Sequence, residues 1–322
     1  MASISGTGSS IPPTFVLQGI PGLEEYHPWF SLTVCTGYVI IIAGNSIILL
    51  VVVSEAALHR PMYYFLCMLS AIDLAATTST LPKMLSIFWF QAGEIQFNTC
   101  LAQMFFIHAL CMMESAVLLA MAVDRYVAIC FPLRYNSFFT GSLAAKMEVA
   151  AVVRATLLMW PCPFLIKRLT FCRTNVIHHT YCEHMAVVRL ACGDTRINSV
   201  YGLSAALVVI GGDLLGIGLS YFFIVRAVLR LSSKEARLKA FGTCGSHLCV
   251  ITILYIPALF SFLTHRFGHN VAPHVHILLA NLYLLVPPML NPIVYGVRTK
   301  EIREQVIPVL LPNKAMVKPR TL

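Results

Sequence analysis

The sequence predicts an all-α membrane protein, a seven-transmembrane helix bundle with an extracellular N-terminus and a short amphipathic C-terminal helix. Three observations predict it. The 322 residues are 58% hydrophobic and only 11% charged, against roughly 25% charged in soluble domains, so lipid must solvate much of the chain. Apolar runs of bilayer-spanning length, about 17–25 residues or more, occur seven times. Lysine and arginine gather on one side of the order those runs define.

The spans lie near 28–53, 61–86, 98–130, 144–166, 198–231, 238–263 and 272–296. The chain therefore reads as one domain over 1–322, with a tail at 1–27, a bundle over 28–296 and a second tail at 297–322. The third and fifth spans exceed the bilayer minimum and should tilt or protrude. The opening "MASISGTGSSIPPTF" lacks the basic start and apolar core of a cleavable signal, so the first span acts as an uncleaved one. Residues 1–27 carry no Lys or Arg. The tail carries Arg298, Lys300, Arg303, Lys314, Lys318 and Arg320, and the 226–239 connection another five. With Arg60, Arg125, Arg134, Lys146 and Arg154, one side holds 16 of the 23 basic residues. That side is read as cytoplasmic, in a multi-pass plasma-membrane protein. The net charge of +9 then reflects topology and attraction to anionic lipid, and nucleic acid is not needed to explain it.

Polar groups inside apolar helices are costly and mark function. Asn45, Asp73, Glu114 and Asn291 fall at middle depth. Two neighbouring carboxylates cannot both stay ionised unaided, so Asp73 and Glu114 are expected to share a sodium ion or a proton, with Asn45, Ser115 and Asn291 as helpers. Pro292 should kink the seventh span. Asp124 follows Cys100 by 24 residues, or about 36 Å of helix. Cys100 is then extracellular, and "DRY" (Asp124, Arg125, Tyr126) meets the cytoplasm, as do Tyr221 and Tyr295.

Outside, Arg266 lies just beyond the sixth span, where a guanidinium can hold a carboxylate through two parallel hydrogen bonds. His108 lies about 12 Å deeper than Cys100. Met112, Met185, Leu203, Tyr255 and Phe262 could line the apolar part of a pocket. Four cysteines (Cys100, Cys172, Cys182, Cys192) are extracellular and permit three pairings; the other seven are expected to be free and mostly buried. In the tail, Ile302, Val306 and Leu310 have helical spacing, as in a helix lying on the inner leaflet.

Enzyme readings fare poorly. His178, His179 and His184 beside Cys172, Cys182 and Cys192 hint at zinc, but extracellular cysteines favour disulfides. "GTCGSH" has no strand before it, so a nucleophile elbow is excluded. A transporter is the rival, yet the halves show no matching interrupted helices.

The pieces "GN" at 44–45, Asp73 within "LSAIDLAATTSTLPKML", the Cys100-to-"DRY" spacing and "LNPIVY" at 290–295, in that order, resemble the rhodopsin-like G-protein-coupled receptors. "PMYYFLCMLSAIDL", "MAVDRYVAICFPLRY", "KAFGTCGSHLCV" and "PPMLNPIVYGVRTKEI" resemble the olfactory receptors. "GIPGLEEYHPWF", "FSFLTHRFG" and "HILLANLYLLVPPMLNPIVYGVRTK" look like their class I, fish-like branch. The chain departs from the pattern at Phe131, where His is usual, and at Gly242, where Ser is usual; none of its Asn residues heads a glycosylation signal.

The resemblance implies an odorant receptor, with no chemistry of its own, that activates a stimulatory heterotrimeric G protein and raises cAMP. It implies the pairs Cys100–Cys182 and Cys172–Cys192. It implies a cytoplasmic switch of Asp124, Arg125 and Tyr126 with Tyr221, Asn291, Pro292 and Tyr295. Arg266 and His108 occupy positions like those that engage small carboxylic acids. A neutral odorant or a non-olfactory metabolite is the alternative ligand.

Overall fold

The computed structural model describes residues 11–310 except 173, 231 and 268–271; the side chains of 236, 239, 243, 261–267, 297, 298, 300 and 307–310 also lie outside the description. Among the described residues, seven helices are long and apolar enough to cross a membrane. These are α1 (His27–Ser54), α2 (Pro61–Phe90), α3 (Phe97–Cys130), α4 (Gly141–Lys167), α5 (Arg196–Leu229), α6 (Lys234–Phe267) and α7 (Pro273–Arg298), with α8 (Lys300–Leu310) after them. Pro61 and Pro273 open their helices where a missing N–H costs least. The Thr140 hydroxyl caps α4 by accepting from Leu143 N–H at 3.2 Å. α4 breaks briefly at Trp160, and α5 contains one π turn, Leu207–Gly211. Large apolar side chains such as Val39, Leu50, Leu157, Leu219 and Phe222 point outward; lipid is their solvent.

Two apolar clusters fill the bundle, one extracellular and one cytoplasmic. Between them four helices present buried polar residues: Asn45 after Ile41 on α1, Asp73 after Ile72 on α2, Glu114 and Ser115 after Met112 on α3, Asp213 after Val209 on α5. Asn291 completes this layer on α7. The "GN" pair has a packing reason. A Cβ on Gly44 would lie 2.8 Å from Pro292 Cγ, so only glycine lets α1 approach α7. Pro292 has no N–H for the carbonyl four residues back, and Asn45 Nδ2 supplies that bond, donating to Pro288 O at 3.0 Å.

The strands were not expected. β1 (Thr14–Leu17) lies between β2 (Glu94–Gln96), antiparallel, and β3 (Val176–Ile177), parallel. Phe15 and Leu17 point inward, and Phe15, Phe97 and Phe171 pack tilted or edge-to-face with centroids 5.5–5.8 Å apart. Gly93 abuts Leu17 O too closely for any Cβ.

Cys100 pairs with Cys182 and Cys172 with Cys192, Cα–Cα 5.5 and 5.9 Å. The other seven cysteines are free; Cys162 and Cys244 are buried, Cys249 is exposed and the rest are half-buried. α8 differs from expectation: Ile302 is fully buried and Val306 packs on the same inner cluster, so this face meets the bundle, not the leaflet. Leu310's side chain lies outside the described residues.

Candidate functional site: an extracellular cavity and its links inward

A cavity of about 210 Å³ lies beneath the second extracellular loop. The loop is held down from several sides. Cys182 is bonded to the start of α3, and its N–H donates to Gln103 Oε1 at 3.0 Å, while Gln103 Nε2 donates to Ser79 O at 2.9 Å. Thr180 Oγ1 donates to Asn281 Oδ1 on α7 at 2.6 Å. Glu183 caps a short helix, His184–Val188, by accepting from Ala186 N–H. The loop thus sets His179, Tyr181, Glu183, His184 and Met185 into the cavity roof and walls. α3 contributes His108, Cys111, Met112 and Ser115, and α7 contributes His276 and Tyr283. The His108 and His184 rings are 6.4 Å apart, and His108 Nδ1 is buried without a hydrogen-bond partner. On α5 the wall is made of small residues, Gly202, Ala205 and Ala206, followed by Val209 and Ile210 of the π turn.

Ser115 carries the cavity floor into a buried network. Its hydroxyl donates to Asp213 Oδ2 at 2.6 Å. Tyr255 OH lies 2.6 Å from Ser115 Oγ; with the serine proton already given to Asp213, Tyr255 is the donor. Arg154 grips both oxygens of Asp213, each at 2.7 Å, and reaches Met112 O at 3.3 Å. Four helices, α3 to α6, meet at this point. The Arg154–Asp213 ion pair ties α4 to α5. Asp213 is buried, and Arg154's side chain is 34% exposed on the membrane side.

At the polar layer, Asn291 Nδ2 donates to Asp73 Oδ2 at 2.9 Å. Asp73 Oδ1, Glu114 Oε1 and Asn45 Oδ1 are buried without a hydrogen-bond partner. Among the described residues no three His, Cys, Asp or Glu side chains converge as metal ligands would.

At the cytoplasmic end, Asp124 Oδ1 accepts the Tyr135 hydroxyl at 2.6 Å; burial and this carboxylate push the Tyr135 hydroxyl above its ordinary range. Arg125 therefore has no salt bridge to Asp124, and its Nε is buried without a partner. Tyr221 OH lies 2.8 Å from His247 Nδ1. Tyr126 packs instead against Phe131 and Phe223, centroids 5.8 Å. Leu133 is fully exposed in the loop after α3.

Residues 34–313 match the olfactory receptor family. The chain belongs to that family. Over 305 residues it is 66% identical to human Olfactory receptor 52P1, covering 95% of each chain. To human Olfactory receptor 52K2 it is 57% identical over 305 residues, 95% of this chain and 97% of the relative. Squid rhodopsin shares the fold, with TM-score 0.72, 17% identity and 97% and 94% of the two chains covered. The chain is thus a G-protein-coupled receptor for an odorant, a multi-pass plasma-membrane protein, and neither an enzyme nor a transporter; the 52-group relatives agree with the class I branch.

Of the pocket residues expected in this receptor, His108, Met112 and Met185 line the cavity. Tyr255 does not; it lies beneath, in the Ser115–Asp213 network. Leu203 does not either, because the small residues beside it form the wall. Phe262 and Arg266 have side chains outside the described residues; Arg266 lies beyond the sixth membrane span, Ala240–Phe260, as expected, in the last turn of α6, which continues past that span to Phe267. Ser115 is committed to Asp213 and Tyr255, so it is no helper of Asp73. Arg154 is not cytoplasmic. It lies thirteen residues from either end of α4, about 20 Å, at mid-membrane. Sequence reasoning missed Asp213, Tyr135 and His247. The rule that singled out Asp73 would have found Asp213, an acid in the middle of an apolar span.

Proposed function

We propose that the receptor detects a small carboxylic acid and drives a stimulatory G protein, raising cAMP. The observation that carries this reading is the lining of the cavity. Four imidazoles (His108, His179, His184, His276) face it against one carboxylate, Glu183, and imidazole N–H groups donate to anions. A volume of about 210 Å³ lies below the roughly 300–1,000 Å³ usual for ligand pockets, which favours a short-chain ligand. Ala258 on α6 also lines the cavity; residues four and eight further on, Phe262 and Arg266, share its helix face. The stimulatory coupling rests on the resemblance to olfactory receptors, and the exposed Leu133 gives a G protein an apolar contact on the cytoplasmic side.

A screen of acids against matched alcohols and aldehydes in cells reporting cAMP tests the reading; a receptor answering only neutral odorants would sink the acid assignment. The sharper experiment is Arg266→Ala. Removing one member of a buried charge pair costs about 3–5 kcal/mol, less in a wet site. Potency toward acids should therefore fall at least roughly tenfold, with Lys rescuing only in part because it lacks the planar fork. A matched alcohol should respond much as before. Equal weakening of acid and alcohol would assign Arg266 to folding.

The same reading includes a sodium ion or a proton at Asp73 and Glu114, favouring the resting state. Its support is the set of three orphaned oxygens, Asp73 Oδ1, Glu114 Oε1 and Asn45 Oδ1; hard cations take oxygen ligands. Glu114→Gln should change basal activity and remove its dependence on sodium or pH. Basal and evoked signals indifferent to sodium, to pH and to this substitution would leave a neutral, hydrogen-bonded acid.

A further inference from the structure

A second groove, of about 530 Å³, opens on the membrane side between the extracellular ends of α2 and α3. Pro82, Thr99, Ala102 and Phe106 on its walls are exposed, Phe106 by 54%, so this face looks into lipid. Yet polar side chains line it: Ser79, Lys83, Glu94, Gln96, Thr99 and Gln103. Two of them are spent inside the protein. Gln103 bridges Ser79 O and Cys182 N–H, and the Ser79 hydroxyl donates to Ala76 O at 2.7 Å. Lys83, Glu94, Gln96 and Thr99 remain turned to the groove.

Lys83 is the unusual member. Its ammonium donates to Ala92 O at 2.7 Å and Glu94 O at 2.6 Å, which fixes it at the groove wall. An ammonium has three N–H donors, so one is left. No carboxylate lies within 4.0 Å of it. The Glu94 carboxylate lines the same groove but lies beyond ion-pair distance, and a fixed cation at a lipid-facing wall is costly until a direct anionic partner is supplied. Its depth fits a headgroup: Lys83 lies seven residues before Phe90, the end of α2, about 10 Å down the helix. α2, at 30 residues or about 45 Å, is longer than the roughly 30 Å hydrocarbon core, so its end protrudes and this depth falls near the boundary between headgroups and hydrocarbon.

We propose that this groove binds a zwitterionic phospholipid of the outer leaflet. Its phosphate accepts from the third N–H of Lys83 and from the Thr99 hydroxyl and Gln96 amide, its ammonium lies toward the Glu94 carboxylate, and an acyl chain runs over Ala102 and Phe106. The charges choose the occupant: a plus and a minus line the mouth, which matches a zwitterion and disfavours a free anion. The apolar lower wall requires a tail. Because Lys83 also holds the carbonyls that flank β2, the bound lipid would brace the sheet that carries β1 and the start of α3.

The test uses the full receptor in nanodiscs of phosphatidylcholine doped with a photoactivatable phosphatidylcholine, followed by peptide mapping. Label should concentrate on the peptide spanning Thr99–Phe106. Lys83→Gln should reduce it at least about tenfold, as for loss of a charge-assisted hydrogen bond. Ala102→Trp, which fills the groove and leaves the lysine bonds intact, should reduce it equally, so a folding defect in one variant does not decide the matter. A photoactivatable diacylglycerol with the same chains should not concentrate there. Uniform labelling of all lipid-facing helices, equal labelling by diacylglycerol, or label unchanged in both variants would overturn the proposal. So would competition by millimolar inorganic phosphate or phosphocholine, which would mark a soluble-anion site.

Discussion

Asp213→Ala should leave little receptor at the cell surface and no ligand response. The argument is electrostatic. Arg154 and Asp213 each stand at the middle of a membrane helix, where neither charge has water to fall back on. Deleting the acid leaves a guanidinium in hydrocarbon, at about 3–5 kcal/mol for breaking a buried pair. Whole domains are stable by only about 5–15 kcal/mol. Ser115 would lose its acceptor at the same time, and the Tyr255–Ser115 hydrogen bond its anchor. Replacing both charges tells structure from signalling. Arg154→Met with Asp213→Leu removes the pair without stranding a charge, a change that is often neutral or stabilising. Surface staining of that double variant should recover, while its cAMP response should stay depressed, because the cavity floor no longer grips α4 and α5. Full signalling by the double variant would reduce the network to a packing device. Normal surface level and signalling of Asp213→Ala alone would remove it altogether.

That network also marks where the sequence was legible and where it was misread. Seven helices and their orientation follow from run length and charge asymmetry, since hydrocarbon thickness leaves the chain few alternatives. The same charge count misassigned Arg154. Counting assumes that every cation flanks a span, and Arg154 is thirteen residues from both ends of its own. Its partner Asp213 went unweighed, although one intramembrane charge predicts another. The lining of the cavity was misjudged for a different reason. Leu203 and Tyr255 read equally well as pocket lining or as packing, and a void exists where side chains are small: Gly202, Ala205 and Ala206 make it. The sheet lay beyond reach. β1 pairs with β3 across some 160 residues through two positions of each strand, too few for any periodicity. The disulfide pairing came through the family resemblance; counting cysteines leaves three choices. Asn45 carries the opposite lesson. A polar group noticed at middle depth has a backbone reason, since it serves the carbonyl that Pro292 frees.

Arg125→Ala should abolish the cAMP response while surface level and ligand binding persist. The geometry separates Arg125 from the charge beside it in the sequence. Asp124 is buried and spends an oxygen on the Tyr135 hydroxyl, so the guanidinium is not tethered to it. Tyr221 and Tyr295 belong to the buried cluster at the same cytoplasmic end. Tyr295 is buried with its hydroxyl unpartnered, and Tyr221 is held by His247. A planar guanidinium with five donors can engage several such oxygens at once, and any rearrangement of α5, α6 and α7 changes which ones it meets. Removing it should therefore uncouple helix movement from the G protein without disturbing the cavity, which lies at the other end of α3. Arg125→Lys should retain a fraction of the response, since an ammonium keeps the charge and loses the fork. Tyr221→Phe should weaken signalling less than Arg125→Ala, because it deletes one partner of several. Binding is read with labelled ligand and signalling with cAMP at matched surface level. Loss of both together would point to folding, and normal cAMP in Arg125→Ala would remove this arginine from the switch.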